Sequence, residues 1–291
     1  LTERADRNRP QIVGEPLILN LAPTGVLPTR AQSPYVPLQP DEIIRDVIEC
    51  AGLGVTIAHL HVRDEEGRPS QSTDIFRRVI VGIREKRADI VICVSCSGRG
   101  GIGLEQRAAV LDLEGDAAPD LASLTLSSLN FSSQESVNAP ATILALLKRM
   151  SERGIAPELE IFDIGMANMA RYLADKGMLP ERRYANLLFG NLASAQSRLL
   201  DMAAVVSALP PATSYSLAGI GAAQLPVAAI AAGSAHGVRI GLEDNLWIDP
   251  ERTRLTTNAD LVERVHRLAE AVGRPIMSPE AARLRFGWPG R

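Results

Sequence analysis

Cysteine is scarce: Cys50, Cys93 and Cys96 are the only three in 291 residues. An odd and low count excludes a disulfide framework and points to a reducing compartment. Charge of one sign is missing as well. Lys and Arg number 31 against 34 Asp and Glu, a net charge of −3, and the arginines are scattered along the chain. That leaves no electrostatic footprint for nucleic acid or an anionic membrane. A small anionic ligand stays open, because a site for one needs only a few local cations. No stretch approaches the roughly 18 apolar residues of a membrane span. The opening LTERADRNRPQIVGEP is polar and has no apolar run of the kind a secretory signal carries. The expectation is a soluble, cytoplasmic protein. Linker-like and low-complexity segments are also missing, so the expected organisation is an extension over residues 1–15 and one domain over 16–291. The tail beyond about residue 280 is expected to pack on that domain or on a neighbouring subunit.

What is present is alternation. Short apolar runs stand at LILNLA (17–22), VTIAHLHV (55–62), IVICVSC (90–96), LASLTL (121–126), ELEIFD (158–163), NLLFGN (186–191), TSYSLAG (213–219) and GVRIGLED (237–244). Segments with helical spacing lie between them. One opens at Pro40 and puts Ile43, Ile44, Val47 and Ile48 on one face; another has Thr73 or Asp74 as its cap. Two more end at Gly154 and Gly273, natural residues just past a helix. This pattern predicts a (β/α)8 TIM barrel, in which strands buried on both faces are almost continuously apolar. The alternative is a doubly wound open sheet. Such sheets carry a glycine-rich phosphate fingerprint after the first strand, and PTGVLPTR contains none. The barrel is preferred.

In a barrel of this kind the active site lies at the C-terminal ends of the strands. His59 and His61, half of the chain's four histidines, fall near the end of the second. Residues i and i+2 share a face of a strand, so the two imidazoles stand side by side. A pair of core histidines bonded to backbone is one explanation. Metal ligation is the preferred one, since two such histidines need two sets of buried partners and imidazole is a common zinc ligand. A catalytic zinc wants a third protein ligand. Glu243 is the candidate, on strand eight, which closes the barrel against strand one. Arg239, Gly241 and Glu243 are expected to share a face, with Gly241 leaving room between its charged neighbours and Asp244 opening the loop.

Cys93 and Cys96 have C-x-x-C spacing but span the end of a strand rather than a helix N-terminus, so they read as small strand residues. Ser97 and Gly98, with Gly100 and Gly101, form a loop whose backbone could approach an anion. Glu160, in ELEIFD, is a buried carboxylate in need of a partner.

LILNLAPTG, HLHVRDEEGRPS, ELEIFD, RIGLEDN and TNADLV together resemble the β-keto acid cleavage enzymes, over about residues 16–286. That resemblance implies a zinc-bearing barrel, typically a homotetramer. It implies conversion of a β-keto acid plus acetyl-CoA into acetoacetate plus a new acyl-CoA. His59, His61 and Glu243 would be the zinc ligands, Arg239 and Asp244 the catalytic pair, and Ser95, Ser128 and Glu160 would line the substrate site. Two departures stand out. Leu27 replaces a glutamate suited to a substrate ammonium, which suggests a neutral or hydrophobic acyl portion. Ala222 stands where a basic residue is common. A zinc-dependent aldolase acting without CoA, and a barrel that binds a metal or small acid without turnover, are the other two possibilities. Amidohydrolase-style hydrolysis is disfavoured, because His236 and His266 do not fall where its further ligands belong.

Overall fold

The computed structural model describes Ile12 and residues 14–290. Most of the expected extension over residues 1–15 thus lies outside the described residues. The eight apolar runs all become strands: β1 (Ile18–Leu21), β2 (Ile57–Leu60), β3 (Val91–Val94), β4 (Leu121–Thr125), β5 (Ala156–Ile161), β6 (Arg183–Phe189), β7 (Thr213–Gly219) and β8 (Gly237–Ile240). They form one closed parallel barrel in chain order. Closure comes from β1 on β8, with Ile18 opposite Gly237 and Asn20 opposite Arg239. Each strand faces the packed interior on one side and the outer helices on the other; this is why the runs are so largely apolar.

Helices follow each strand: α1 (Pro40–Gly52), α2 (Thr73–Arg84), α3 (Leu104–Ala108), α4 (Pro140–Glu152), α5 (Ile164–Asp175), α6 (Leu199–Ala208), α7 (Gln224–Ser234) and α8 (Asn258–Ala271). The entry to α1 is a capping box between Gln39 and Glu42, with Pro40 in the first turn. α2 is capped by Ser72, whose Oγ accepts from Ile75 N, one residue before the expected Thr73 or Asp74. Thr73 is already helical. The third unit departs most from regularity: α3 is five residues long and is followed by 3-10 turns at Ala109–Asp112 and Gly115–Ala117. Gly154 and Gly273 stand just past α4 and α8, as the sequence suggested.

A ninth helix, α9 (Pro279–Phe286), closes the N-terminal end of the barrel. Phe286 and Trp288 stack on each other and meet the Tyr184 ring edge-on. With Ile18, Ile57, Val91 and Leu121 they form an apolar plug. The tail therefore packs on the barrel. The opposite, C-terminal mouth is where His61, Arg239 and Glu243 gather.

Candidate active site

β2 ends at Leu60, so His59 lies in the strand and His61 one step beyond it. Their rings face the same way, 5.3 Å apart between centroids. β8 stops at Ile240, earlier than the sequence suggested, and the chain then turns. Arg239, Gly241 and Glu243 consequently do not share a strand face. Gly241 has φ +149°, and a Cβ there would lie 2.0 Å from the Ala22 carbonyl oxygen. Its bare backbone lets β8 meet the end of β1; room between charged neighbours is not its role. The turn folds Glu243 and Asp244 back over Arg239.

Arg239 is the hub. Its Nε donates to Asp244 Oδ2 at 3.1 Å and Nη2 to Glu243 Oε1 at 2.8 Å, while Nη1 reaches Glu160 Oε1 at 3.4 Å. Its side chain is 1% exposed. Burial disfavours its charge, but Asp244 and Glu243 beside it raise its pKa well above the ordinary value. Burial raises the Asp244 pKa, with Glu243 adding to it and Arg239 opposing, so its carboxylate is a stronger base than usual. For Glu243, burial is outweighed by His61 and Arg239, and the carboxyl is held well below its ordinary range.

His59 Nδ1 lies 2.6 Å from Glu158 Oε2. Glu158 also accepts from Asn20 Nδ2 at 2.7 Å and from Cys93 Sγ at 3.2 Å. It is fully buried; burial pushes its pKa up, but His59 and Arg239 bring it down to about 2. His59 Nδ1 is thereby committed, and its Nε2 is left buried without a partner, as is Glu243 Oε2. His61 Nε2 sits 3.4 Å from Glu243 Oε1. One nitrogen from each histidine and one Glu243 oxygen lie within 4.8 Å of one another. Such an arrangement, an imidazole backed by a carboxylate with its other nitrogen free, suits a metal ion. A second grouping, His59, Cys93 and Glu158, has similar spacing. There the donors already satisfy one another, and burial beside Glu158 keeps the Cys93 thiol protonated.

Gly25 holds the β1 loop against Glu243: at φ +63°, a Cβ there would stand 2.5 Å from Glu243 Cγ. Arg63, two residues past His61 and 2% exposed, braces the same loop by donating to the carbonyls of Gly25 (2.9 Å) and Pro28 (3.0 Å), and holds its own hairpin turn through the carbonyl of Gly67 (3.0 Å). The arginine of H-x-H-x-R is therefore a strut for the loop that seats Glu243.

Of the expected site residues, His61, Ser95, Ser97, Glu160, Arg239, Glu243 and Asp244 line one cavity at the barrel mouth. Thr125 Oγ1 donates to Glu160 Oε2 at 2.7 Å. Four of the expected residues lie apart from that lining, His59 because it is buried beneath it. Gly98 packs against Arg107 and the Val137 carbonyl; Ser128 is exposed and accepts from Asn138 N at 2.8 Å; Leu27 is exposed on the β1 loop. Sequence inspection missed Glu158, Asn20 and Arg99. Glu158 stands two residues before Glu160, on the same face of β5, and that spacing was the available signal. Arg99 also lines the cavity, lying 3.6 Å over the Phe131 ring. Thr125 and Ser136 also line it, and five apolar side chains complete the wall: Leu129, Phe131, Phe162, Leu188 and Ile220. The other two histidines are elsewhere, His236 edge-on to Tyr215 and His266 beside Gly54. All three cysteines are free and buried, and no described helix is long and apolar enough to cross a membrane.

Comparison with known proteins gives a consistent result. Residues 16–287 match the family described as beta-keto acid cleavage enzyme. The chain is 35% identical to a 3-keto-5-aminohexanoate cleavage enzyme of Fusobacterium nucleatum, over 92% of this chain and 97% of that protein. It is 34% identical to a 3-oxoadipate:acetyl-CoA acetyltransferase of Cupriavidus necator, over 94% and 96% of the two chains. Among solved structures, ObcA without ligand superposes with a TM-score of 0.80 at 21% identity, covering 89% of this chain and 66% of ObcA. That last likeness concerns the fold.

Proposed function

The chain belongs to the β-keto acid cleavage enzyme family, and on that premise we propose that it exchanges acyl groups between a β-keto acid and acetyl-CoA. The products are acetoacetate and a new acyl-CoA, and the acyl portion is neutral or hydrophobic. The observation that carries this proposal is the buried Arg239–Asp244 pair, with its 3.1 Å contact, on the wall of a cavity lined by both polar and apolar side chains.

Each residue has a task. Asp244 takes a proton from the carbon between the two carbonyls of the keto acid, as a base raised by burial is suited to do. Arg239 holds that carboxylate in place through Nε. Arg99, Ser95 and Ser97 offer donors for the substrate carboxylate. The carbanion attacks the thioester carbonyl of acetyl-CoA. The CoA sulfur then moves to the original keto carbon, and cleavage of the carbon–carbon bond gives the new acyl-CoA and the acetoacetate carbanion, which takes back the proton held by Asp244. Atoms balance without a further reactant. His59, His61 and Glu243 would hold zinc, which as a Lewis acid would polarise the keto oxygen. Zinc is favoured by a His2Glu donor set.

Substrate choice follows from the walls. The two relatives named above act on keto acids carrying an amino and a carboxylate substituent. Here five apolar side chains line the cavity, and Leu27, exposed on the β1 loop outside that lining, brings no counter-charge towards it. Cytoplasmic location and a homotetramer complete the proposal.

The test is an acetyl-CoA-dependent assay on neutral, aminated and carboxylated β-keto acids, with acetoacetate and acyl-CoA read together by mass spectrometry. Both products, formed only when acetyl-CoA and metal are present and fastest from a neutral chain, are expected. Cleavage that proceeds without CoA would replace this reading with an aldolase.

A further inference from the structure

Beside the catalytic mouth lies a second cavity of about 360 Å³. It is built from the loops that follow β7 and β8, the region where barrels of this class commonly hold phosphate groups. Ala222, Leu225, Pro226, Trp247 and Ile248 give it an apolar floor, and Arg252 and Arg264 stand on its rim. The two cavities share a seam. Ile220 and Asp244 line the catalytic one, whereas their chain neighbours Ala222 and Asn245 line the second. Gly221 N donates to the Asp244 carbonyl at 2.7 Å and ties the seam together.

Both rim arginines are available for an anion. Neither has a carboxylate within ion-pair distance among the described residues, in contrast to Arg254, which reaches Asp249 at 3.6 Å. Arg264 donates to the Ile248 carbonyl only. Burial, followed by the neighbouring charge of Arg267, holds its pKa below the ordinary arginine value, with Arg254 adding to this and Asp260 and Asp249 offsetting part. Cationic crowding of this kind is relieved when an anion binds. Asp249 is the one acid on the lining. Its carboxylate is engaged by Thr253 N (2.8 Å), Thr253 Oγ1 (3.1 Å) and Arg254 N (2.8 Å), bonds that shape the loop holding Arg252. Arg252 itself has φ +57°, a conformation that costs a non-glycine residue energy and is concentrated at ligand sites.

We propose that this cavity binds the nucleotide end of CoA, with the adenine on the apolar floor beside Trp247 and the phosphates on Arg252 and Arg264. The pantetheine arm then crosses the Ile220–Ala222 seam and delivers the thioester to Asp244. The assignment rests on the acetyl-CoA chemistry proposed above.

Direct binding tests it. CoA is titrated into the full-length protein by calorimetry and by fluorescence of Trp247, against Arg252→Glu and Arg264→Glu, with matched metal content and thermal melts. Quenching of Trp247 by CoA is expected in the unmodified protein. Each reversal should weaken CoA about 10-fold or more and raise KM for acetyl-CoA in step, with KM for the keto acid little changed. Adenosine 3′,5′-bisphosphate should compete with CoA. Should Arg264→Glu fail to fold, the exposed Arg252→Glu carries the test alone. CoA affinity within two-fold of the unmodified protein, with acetoacetate still formed, would overturn the site and leave the function standing. An unmodified protein that neither binds CoA nor forms acetoacetate would remove both together.

Discussion

Replacing Glu158 by Gln isolates one carboxylate charge at the base of the histidine pair. Glu158 is 0% exposed and accepts from His59 Nδ1, Asn20 Nδ2 and Cys93 Sγ. Glutamine keeps the shape and one acceptor oxygen, so His59 Nδ1–H retains a partner. The new amide must face Asn20. Rotating the Asn20 and Asn186 amides together gives it an acceptor while keeping a donor on an acceptor between those two residues, at the cost of leaving Asn20 Nδ2 where its unpartnered Oδ1 now stands. The fold therefore tolerates the change, and what is lost is the charge-assisted character of a 2.6 Å bond. Outer carboxylates of this type change metal affinity by about 10- to 100-fold, or about 1.4 to 2.8 kcal/mol. The assay is competition for zinc between apoprotein and a chromogenic chelator, alongside circular dichroism and a thermal melt. A folded Glu158→Gln protein that binds zinc within about two-fold of the unmodified protein would refute the idea that Glu158 prepares His59 as a ligand.

Three further perturbations probe separate parts of the molecule. Asp244→Asn keeps the Arg239 contact but removes the base, so kcat should fall by about 10²- to 10⁴-fold with zinc content unchanged; near-normal turnover would assign proton abstraction elsewhere. Gly25→Ala puts a methyl group 2.5 Å from Glu243 Cγ at φ +63°, which should cost about 1 to 3 kcal/mol and weaken zinc binding, and a melt together with metal analysis would show whether both occur. Asp46, half-buried in α1 and accepting from Asn258 Nδ2 at 2.7 Å, has its pKa raised by desolvation to about 7. Because the folded state holds that proton longer than the unfolded state, stability should fall as pH rises from about 4 to about 7 and then level off, by at most about 1.4 kcal/mol per pH unit. Urea titrations of the unmodified protein and Asp46→Asn should differ by that slope, and parallel curves would remove Asp46 as its source.

The sequence by itself determined the barrel and the list of groups at its mouth. Eight apolar runs appeared where eight strands stand, because strands buried on both faces leave a continuous apolar trace that survives without knowledge of neighbours. The i, i+2 spacing of His59 and His61 likewise placed two imidazoles on one side. Tertiary structure decided what those groups do to one another. The face shared by Arg239 and Glu243 dissolved, because Gly241 must turn against Ala22, a contact across the closing seam of the barrel that no local pattern records. Glu158 and Glu160 look equivalent in ELEIFD, yet one meets His59 and Asn20 while the other meets Thr125 and Arg239. Their depth along β5 is set by register with β4 and β6. Arg63 showed the same limit: its motif was visible, but its three carbonyl partners come from loops up to 38 residues away in the chain. Residue type and period are written locally, whereas partners are chosen only when the strands close on one another.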